Sequence, residues 1–227
     1  MIKRALEAGL IEMAVTNPRD FTKSRHRQVD DTIYGGGAGM LMMCQPIFDA
    51  CHHVLPEKGP RDRVIFLSPA GKTFNQDKAK ELQRDYDHLV LICGHYEGVD
   101  HRVEEHLADE LISIGDYVLT GGELGAMVIS DAVARMVPGV LGDAGSAASD
   151  SFYEPILEYP QYTKPAEYNG WKVPDVLLSG HHANIARWRR KEALRRTMAY
   201  RPDLLEGQEL SKEDKKLMAE IREEKEE

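Results

Sequence analysis

The run Glu110-Leu111-Ile112-Ser113-Ile114-Gly115-Asp116-Tyr117-Val118-Leu119-Thr120-Gly121-Gly122-Glu123-Leu124 passes from an apolar strand through a glycine-rich loop into a helix. Glu110 to Ile114 is short and nearly all apolar, the pattern of a strand buried on both faces. The helix that follows runs from Glu123 to Val137 and stops before Pro138-Gly139. Between them the glycines permit positive φ and let a ligand approach the backbone closely.

The same strand-to-helix unit recurs upstream. Arg63 to Ser68 and His88 to Cys93 are further buried-type strands, followed by helical patterns over Asn75–Tyr86 and Val99–Leu107. Lys3 to Ala8 suits a helix stopped by Gly9, Leu10 to Val15 a short strand, and Pro46 to Leu55 a helix. Phe21 to Gly39 shows no periodicity. Strands alternating with helices predict an α/β fold with a mostly parallel sheet covered on both faces. After Gly139 the chain becomes small and polar, then rich in proline and tyrosine, and then helical over Asn184–Tyr200 and Ser211–Glu224. The expected organisation is an α/β domain over 1–142, a flexible linker over 143–160, and a small helical domain over 161–227.

With 227 residues, 42% of them hydrophobic, the chain can bury a core without disulfides or metals. No apolar run approaches the roughly 18 residues of a membrane span, and the amino terminus lacks the pattern of a secretory signal. Cys44, Cys51 and Cys93 are odd in number and have no paired spacing, which fits reduced thiols in the cytoplasm. The net charge of −9 argues at first against nucleic acid, but about half of that excess falls in residues 203–227. Two local clusters are basic: Lys23, Arg25, His26 and Arg27, and Arg187, Arg189, Arg190 and Lys191, which continues to Arg195 and Arg196. Either cluster alone would also suit a solvated face; a local patch matters more than the total for phosphate contact.

The familiar nucleotide motifs fail. Ser68-Pro69-Ala70-Gly71-Lys72-Thr73 ends like a phosphate-binding loop, but the glycine required five residues before Gly71 is Phe66. Gly35-Gly36-Gly37-Ala38-Gly39 misses the dinucleotide fingerprint at Met40. The adjacent pairs His52-His53 and His181-His182 do not share a helix face, so no metal site is assigned. Three loops remain at the carboxyl ends of strands: Leu67-Ser68-Pro69, Gly94-His95-Tyr96-Glu97-Gly98, and Ser113 to Leu124. Ligands of open α/β sheets bind there. None of the three loops carries Lys or Arg, which suits a nucleoside without phosphates, its ring held between Ile114 and Leu119. Any of these loops could equally be a tight structural turn.

The blocks 94–100 (Gly-His-Tyr-Glu-Gly-Val-Asp), 113–124 and 131–142 (Asp-Ala-Val-Ala-Arg-Met-Val-Pro-Gly-Val-Leu-Gly) resemble the bacterial tRNA (guanine-37-N1)-methyltransferases, TrmD type, of the knotted SPOUT class. So do 29–43, Asp150-Ser151-Phe152 and Leu177 to His182, and the match runs in order over nearly the whole chain. The resemblance implies a deep trefoil knot in the C-terminal part of the α/β domain, a rare departure from unknotted topology. It implies S-adenosylmethionine bound by Gly94 and by Ile114, Gly115, Asp116, Tyr117, Val118 and Leu119, with Ser68, Pro69, Tyr96, Glu97, Ser113, Gly121 and Gly122 lining the same pocket. It implies a homodimer with the active site at the subunit interface, a helical domain gripping the anticodon stem, and a magnesium dependence assigned to no residue. The family's catalytic aspartate falls on Asp150 and its arginine partner on Arg135. RNA contacts are expected at Arg25, His26, Arg27, Arg187, Arg189 and Arg190.

The sequence departs from the family in two places. Members usually begin with a further apolar strand and a Leu-Phe-Pro-like segment that this sequence does not show; it is either shortened there or builds a sheet short of one strand. Gly125 stands where proline is common. The expected reaction is methyl transfer to N1 of guanosine 37 in tRNA, with a carboxylate removing the N1 proton. The alternatives are an RNA-binding or assembly module with a vestigial cofactor pocket, or a knotted methyltransferase acting on another RNA.

Overall fold

The computed structural model describes residues 1–142 and 150–226, with side chains through Glu224. The chain divides into two compact units, Met1–Asp143 and Ala144–Glu227.

The first unit is built on strand β3 (Asp62–Thr73), which pairs in parallel with β4 (His88–Ile92) and β5 (Glu110–Ser113) in the order β4-β3-β5. Successive β3 side chains point to opposite faces, as strand geometry requires. Val64 and Phe66 join Ile92 and Val103 in one core with Ile47 and Cys51 of α2 (Cys44–Val54). Ile65 joins Ile112, Leu82 of α3 (Gln76–Asp85) and Ile129 of α5 (Glu123–Ala134) in the other. Val103 comes from α4 (His101–His106). Helices therefore cover both faces, which explains why these strands read as continuous apolar runs. Asn75 caps α3 by accepting from the Lys78 amide at 3.0 Å, and Asp100 caps α4 by accepting from the Arg102 amide at 3.0 Å.

Helix α1 (Ile2–Glu7) forms as expected and ends before Gly9, whose φ is +66°. The strand expected over Leu10–Val15 does not form. Residues 11–17 have no regular structure; Met13 is half exposed and Val15 fully so. An apolar run becomes a strand only when its backbone finds a ladder partner, and here none of the described residues supplies one. The segment Phe21–Gly39, read as aperiodic, contains β1 (Asp30–Asp31), which pairs antiparallel with β2 (Leu41–Met42) just beyond it.

The second unit contains a small hairpin, β6 (Glu167–Tyr168) and β7 (Trp171–Lys172), turned by Asn169 and Gly170, both at positive φ. Helices α6 (Asp175–Leu178), α7 (His182–Tyr200) and α8 (Lys212–Glu226) follow. The α7 and α8 pair closes over Leu194, Leu217, Met218 and Ile221. Of the expected linker, 143–149 lie outside the described residues. Residues beyond them are fastened to the helices: Ile156 packs on that core, and the Leu157 amide donates to Thr197 Oγ1 at 2.9 Å.

Candidate active site

The second and third loops meet where β4 and β5 end, whereas the first, expected at a strand's carboxyl end, lies inside β3 because that strand resumes its ladder at Lys72. In the first, Leu67 and Lys72 both lie opposite Ile112 of β5, so Ser68 to Gly71 bulge out of the ladder. Gly71 lies so close to β5 that an added Cβ would meet the Leu111 carbonyl oxygen at 2.5 Å. Ser68 Oγ accepts from the Ala70 amide at 3.2 Å, and Pro69 is exposed.

The second and third loops lean directly on each other. The Gly122 amide donates to the Gly94 carbonyl at 3.0 Å, and His95 forms a bridge with Gly121. A Cβ at Gly122 would meet Cys93 Cα at 2.7 Å, and one at Gly121 would meet the His95 ring at 2.6 Å. The Gly122 approach is to backbone and requires glycine for want of space, not for backbone φ; at Gly121 the neighbours are side chains. His95 Nε2 lies 2.5 Å from Glu123 Oε1, which ties the β4 loop to the first turn of α5. Partial burial, the largest single influence, pushes the Glu123 carboxyl up, but the His95 side chain and a backbone amide together hold it below its ordinary range. Cys93, beneath this contact, is pushed up to about 11, chiefly by burial.

Within the third loop, Ser113 Oγ accepts from the Gly115 amide at 3.1 Å and donates to the Gly115 carbonyl at 3.2 Å. The Tyr117 hydroxyl donates to the Ile114 carbonyl at 3.1 Å. Ile114 packs within the sheet core, whereas Asp116, Tyr117, Val118 and Leu119 are exposed. Tyr96 (φ +59°) and Glu97 are also exposed. The Glu97 amide donates to the Met40 carbonyl, and the Glu97 side chain fills the space where a Cβ on Gly39 would stand. The glycine stretch that failed the dinucleotide test therefore packs against the second loop.

Arg19, absent from the expected site, donates to the Tyr96 hydroxyl and to the Arg27 carbonyl, each at 3.0 Å. It places the basic segment beside the second loop. Arg25 and His26 are exposed there, and Arg27 pairs with Asp20. No sequence motif marks Arg19, and its role is legible only in the fold.

Asp150 and Arg135 belong to different units. Arg135 is half-buried at the carboxyl end of α5, where its amide donates to the Asp131 carbonyl at 3.1 Å. Asp150 is half-buried at the start of the described part of the second unit, and its carbonyl accepts from the Tyr153 amide at 3.3 Å. In α7, Arg187 pairs with Glu220 at 2.5 Å, and Arg190 pairs with Asp214 and Glu154, each at 2.7 Å. Arg189 instead lies over the Tyr159 ring, 4.9 Å from its centre. Among the described residues no group of three or more metal-ligating side chains occurs, and no helix is long and apolar enough to cross a membrane.

A family model described as tRNA (Guanine-1)-methyltransferase TrmD matches residues 1–207, which takes in all three loops, Arg135 and Asp150. The chain belongs to this methyltransferase family. Relatives named tRNA (guanine-N(1)-)-methyltransferase are similar to it along almost their entire length. The protein of Halalkalibacterium halodurans is 53% identical over 226 residues, covering 100% of this chain and 92% of its own. That of Brevibacillus brevis is 57% identical over 225 residues, covering 99% and 91%. That of Desulforamulus reducens is 55% identical over 222 residues, covering 97% and 87%.

Proposed function

We propose that this chain transfers a methyl group from S-adenosylmethionine to N1 of guanosine 37 in the anticodon loop of tRNA. One observation carries the reading: in a chain of this family, the Gly94 and Gly121–Gly122 backbones meet at the carboxyl ends of parallel strands, so closely that a Cβ on Gly122 would stand 2.7 Å from Cys93 Cα. Such a cradle presents backbone donors and acceptors to an adenine edge. The carboxylates of Glu97, Asp116 and Glu123 on the same loops suit a ligand carrying a sulfonium and an ammonium group, and the loops themselves carry no Lys or Arg. Ser68, Pro69, Tyr96, Ser113 and the run Ile114–Leu119 complete the binding surface.

When bound, the cofactor supplies a methyl group made electrophilic by the sulfonium. Guanine N1 carries a proton at neutral pH and cannot attack while it does. Asp150 takes that proton as the N–C bond forms. Arg135 donates to O6, where charge develops, and orients the carboxylate. The loops hold nitrogen, methyl and sulfur in line, which is the larger share of the rate gain.

Several features favour a homodimer with the site at the subunit interface. Leu124, Met127 and Val128 of α5 are exposed, and Val118 on the adjoining loop is 93% exposed. Contiguous apolar surface of this kind marks an association face. The reading includes a trefoil knot through the three loops, a location in the cytoplasm, and the organisation 1–142, 143–160 and 161–227. Of the residues expected to meet RNA, Arg25, His26 and Arg189 are exposed and open to it, while Arg27, Arg187 and Arg190 hold the elements that present them.

The test is to incubate the chain with an unmodified tRNA transcript and labelled S-adenosylmethionine and map the product. Methylation at guanine N1 is expected. Asp150→Asn should lower turnover by about two to four orders of magnitude with cofactor affinity unchanged. Undiminished turnover by that variant would remove Asp150 from the mechanism.

A further inference from the structure

A groove of about 430 Å³ lies wholly within the second unit, among Tyr159, Tyr162, Lys164, Leu177, Trp188 and Arg189. Its size falls in the range of small-ligand sites, roughly 300–1,000 Å³. Three of its walls are aromatic. The Tyr162 and Trp188 rings lie 6.4 Å apart, tilted by 51°, and the Arg189 guanidinium covers the Tyr159 ring. No Asp or Glu lines the groove, while Lys164 and Arg189 do.

The charge pattern on α7 sharpens this. Arg187, Arg190, Lys191 and Arg195 all turn to carboxylates of α8 or their own helix. Arg189 leaves that row and faces the groove. Among the described residues it has no carboxylate partner. Cations and aromatic faces without acids disfavour a cationic ligand and favour a flat, anionic one. A nucleobase with its phosphate has that chemistry: bases splayed from single-stranded loops stack on aromatic rings and on arginine planes.

We propose that this groove is a nucleobase-stacking site. It takes one unpaired base of the tRNA stacked against the aromatic wall that Tyr162 and Trp188 form together, with Arg189 and Lys164 holding the adjoining phosphate. The assignment rests on the tRNA reading proposed for the chain. It gives the second unit a specific role, in which the unit registers a single-stranded position and does not merely attract the backbone.

The chain has two tryptophans, Trp171 and Trp188, and Trp171 does not line the groove. Trp171→Phe therefore makes Trp188 the sole indole, and its emission reports occupancy directly. The probe is an unmodified anticodon stem-loop RNA added without cofactor, with a blunt RNA duplex as comparison. The stem-loop should quench Trp188 and the duplex should not. Tyr162→Ala should weaken stem-loop binding on the order of ten- to a hundredfold, while Tyr162→Phe, which keeps the ring, should stay within about twofold. Arg189→Ala should weaken binding and flatten its salt dependence. Unchanged emission at saturating stem-loop, or full affinity in Tyr162→Ala, would overturn the proposal. Emission that follows protein concentration and ignores RNA would assign the groove to a second copy of the chain and overturn it equally. These readouts need no methyl transfer, so a wild-type chain that binds and quenches but leaves tRNA unmethylated would sink the proposed reaction alone.

Discussion

At Gly122 the space for a methyl group is filled by backbone: an added Cβ would stand 2.7 Å from Cys93 Cα and 3.1 Å from the Gly94 amide nitrogen. Backbone cannot swing away as a flexible side chain can, so Gly122→Ala must part the second and third loops. The expected cost is about 1–3 kcal/mol in stability, with calorimetric binding of S-adenosylmethionine lost. Gly142→Ala is the control, because none of the described residues lies within 4 Å of its added Cβ; a matching loss there would detach the effect from loop contact. Cys93, under the same contact, has its thiol pushed up to about 11 by burial and by the Glu123 charge. Only the thiolate is nucleophilic, so Cys93 should react slowly with iodoacetamide at neutral pH in the folded chain and faster once the chain is unfolded. Rapid native labelling of Cys93 would contradict that environment. The glycine-rich character of these loops was legible in the sequence. Which glycine faces which strand was not, because the approaches run between residues about thirty positions apart.

Between elements, the α7 and α8 pair shows what a sequence conceals. Read linearly, Arg187 to Lys191 is a basic patch open to phosphate; folded, most of it is matched by Glu220, Glu224 and Asp214 across the helix interface. The partners are 24 to 33 residues away, beyond the reach of helical spacing rules. The sheet was readable for the opposite reason. A strand buried on both faces is marked by its own composition, and β3, β4 and β5 stand within a residue or two of expectation apart from the bulge that extends β3 to Thr73. The two-residue ladders β1–β2 and β6–β7 are too short to carry a period, and Leu10–Val15 has the composition of a strand without a partner. The ion pairs set an acid response. Lys191 and Arg195 hold the Glu224 carboxyl down to about 2 from its ordinary 4.5. A depressed carboxylate contributes stability that is complete above 4.5 and is lost as pH falls through about 2. The melting temperature of the wild-type chain should therefore fall across that window more steeply than that of Glu224→Gln, followed by circular dichroism at low salt. Parallel curves for the two proteins would show that this pairing contributes nothing.

Across the whole molecule, the residues assigned to base and oxyanion chemistry are divided: Arg135 belongs to the first unit and Asp150 to the second. Which copy of the chain supplies each residue could not be seen from motifs, which record order along the chain and not which copy completes a site. The exposed apolar surface of α5 favours a twofold dimer, and a twofold interface repeats each composite site twice. If Asp150 of one subunit serves the loops and Arg135 of its partner, two defective chains can repair each other. Asp150→Asn and Arg135→Ala homodimers should each be nearly inactive. Dissociated together and reassembled, about half of the dimers would be mixed, and each mixed dimer would hold one site with both native residues and one with neither. Activity should then return to about a quarter of the wild-type value. Were both residues drawn from one subunit, every site in the mixed dimer would lack one of them, and the mixture would remain as inactive as its parents. Recovered turnover would thus place the reaction between subunits, and its absence would confine the site to a single chain.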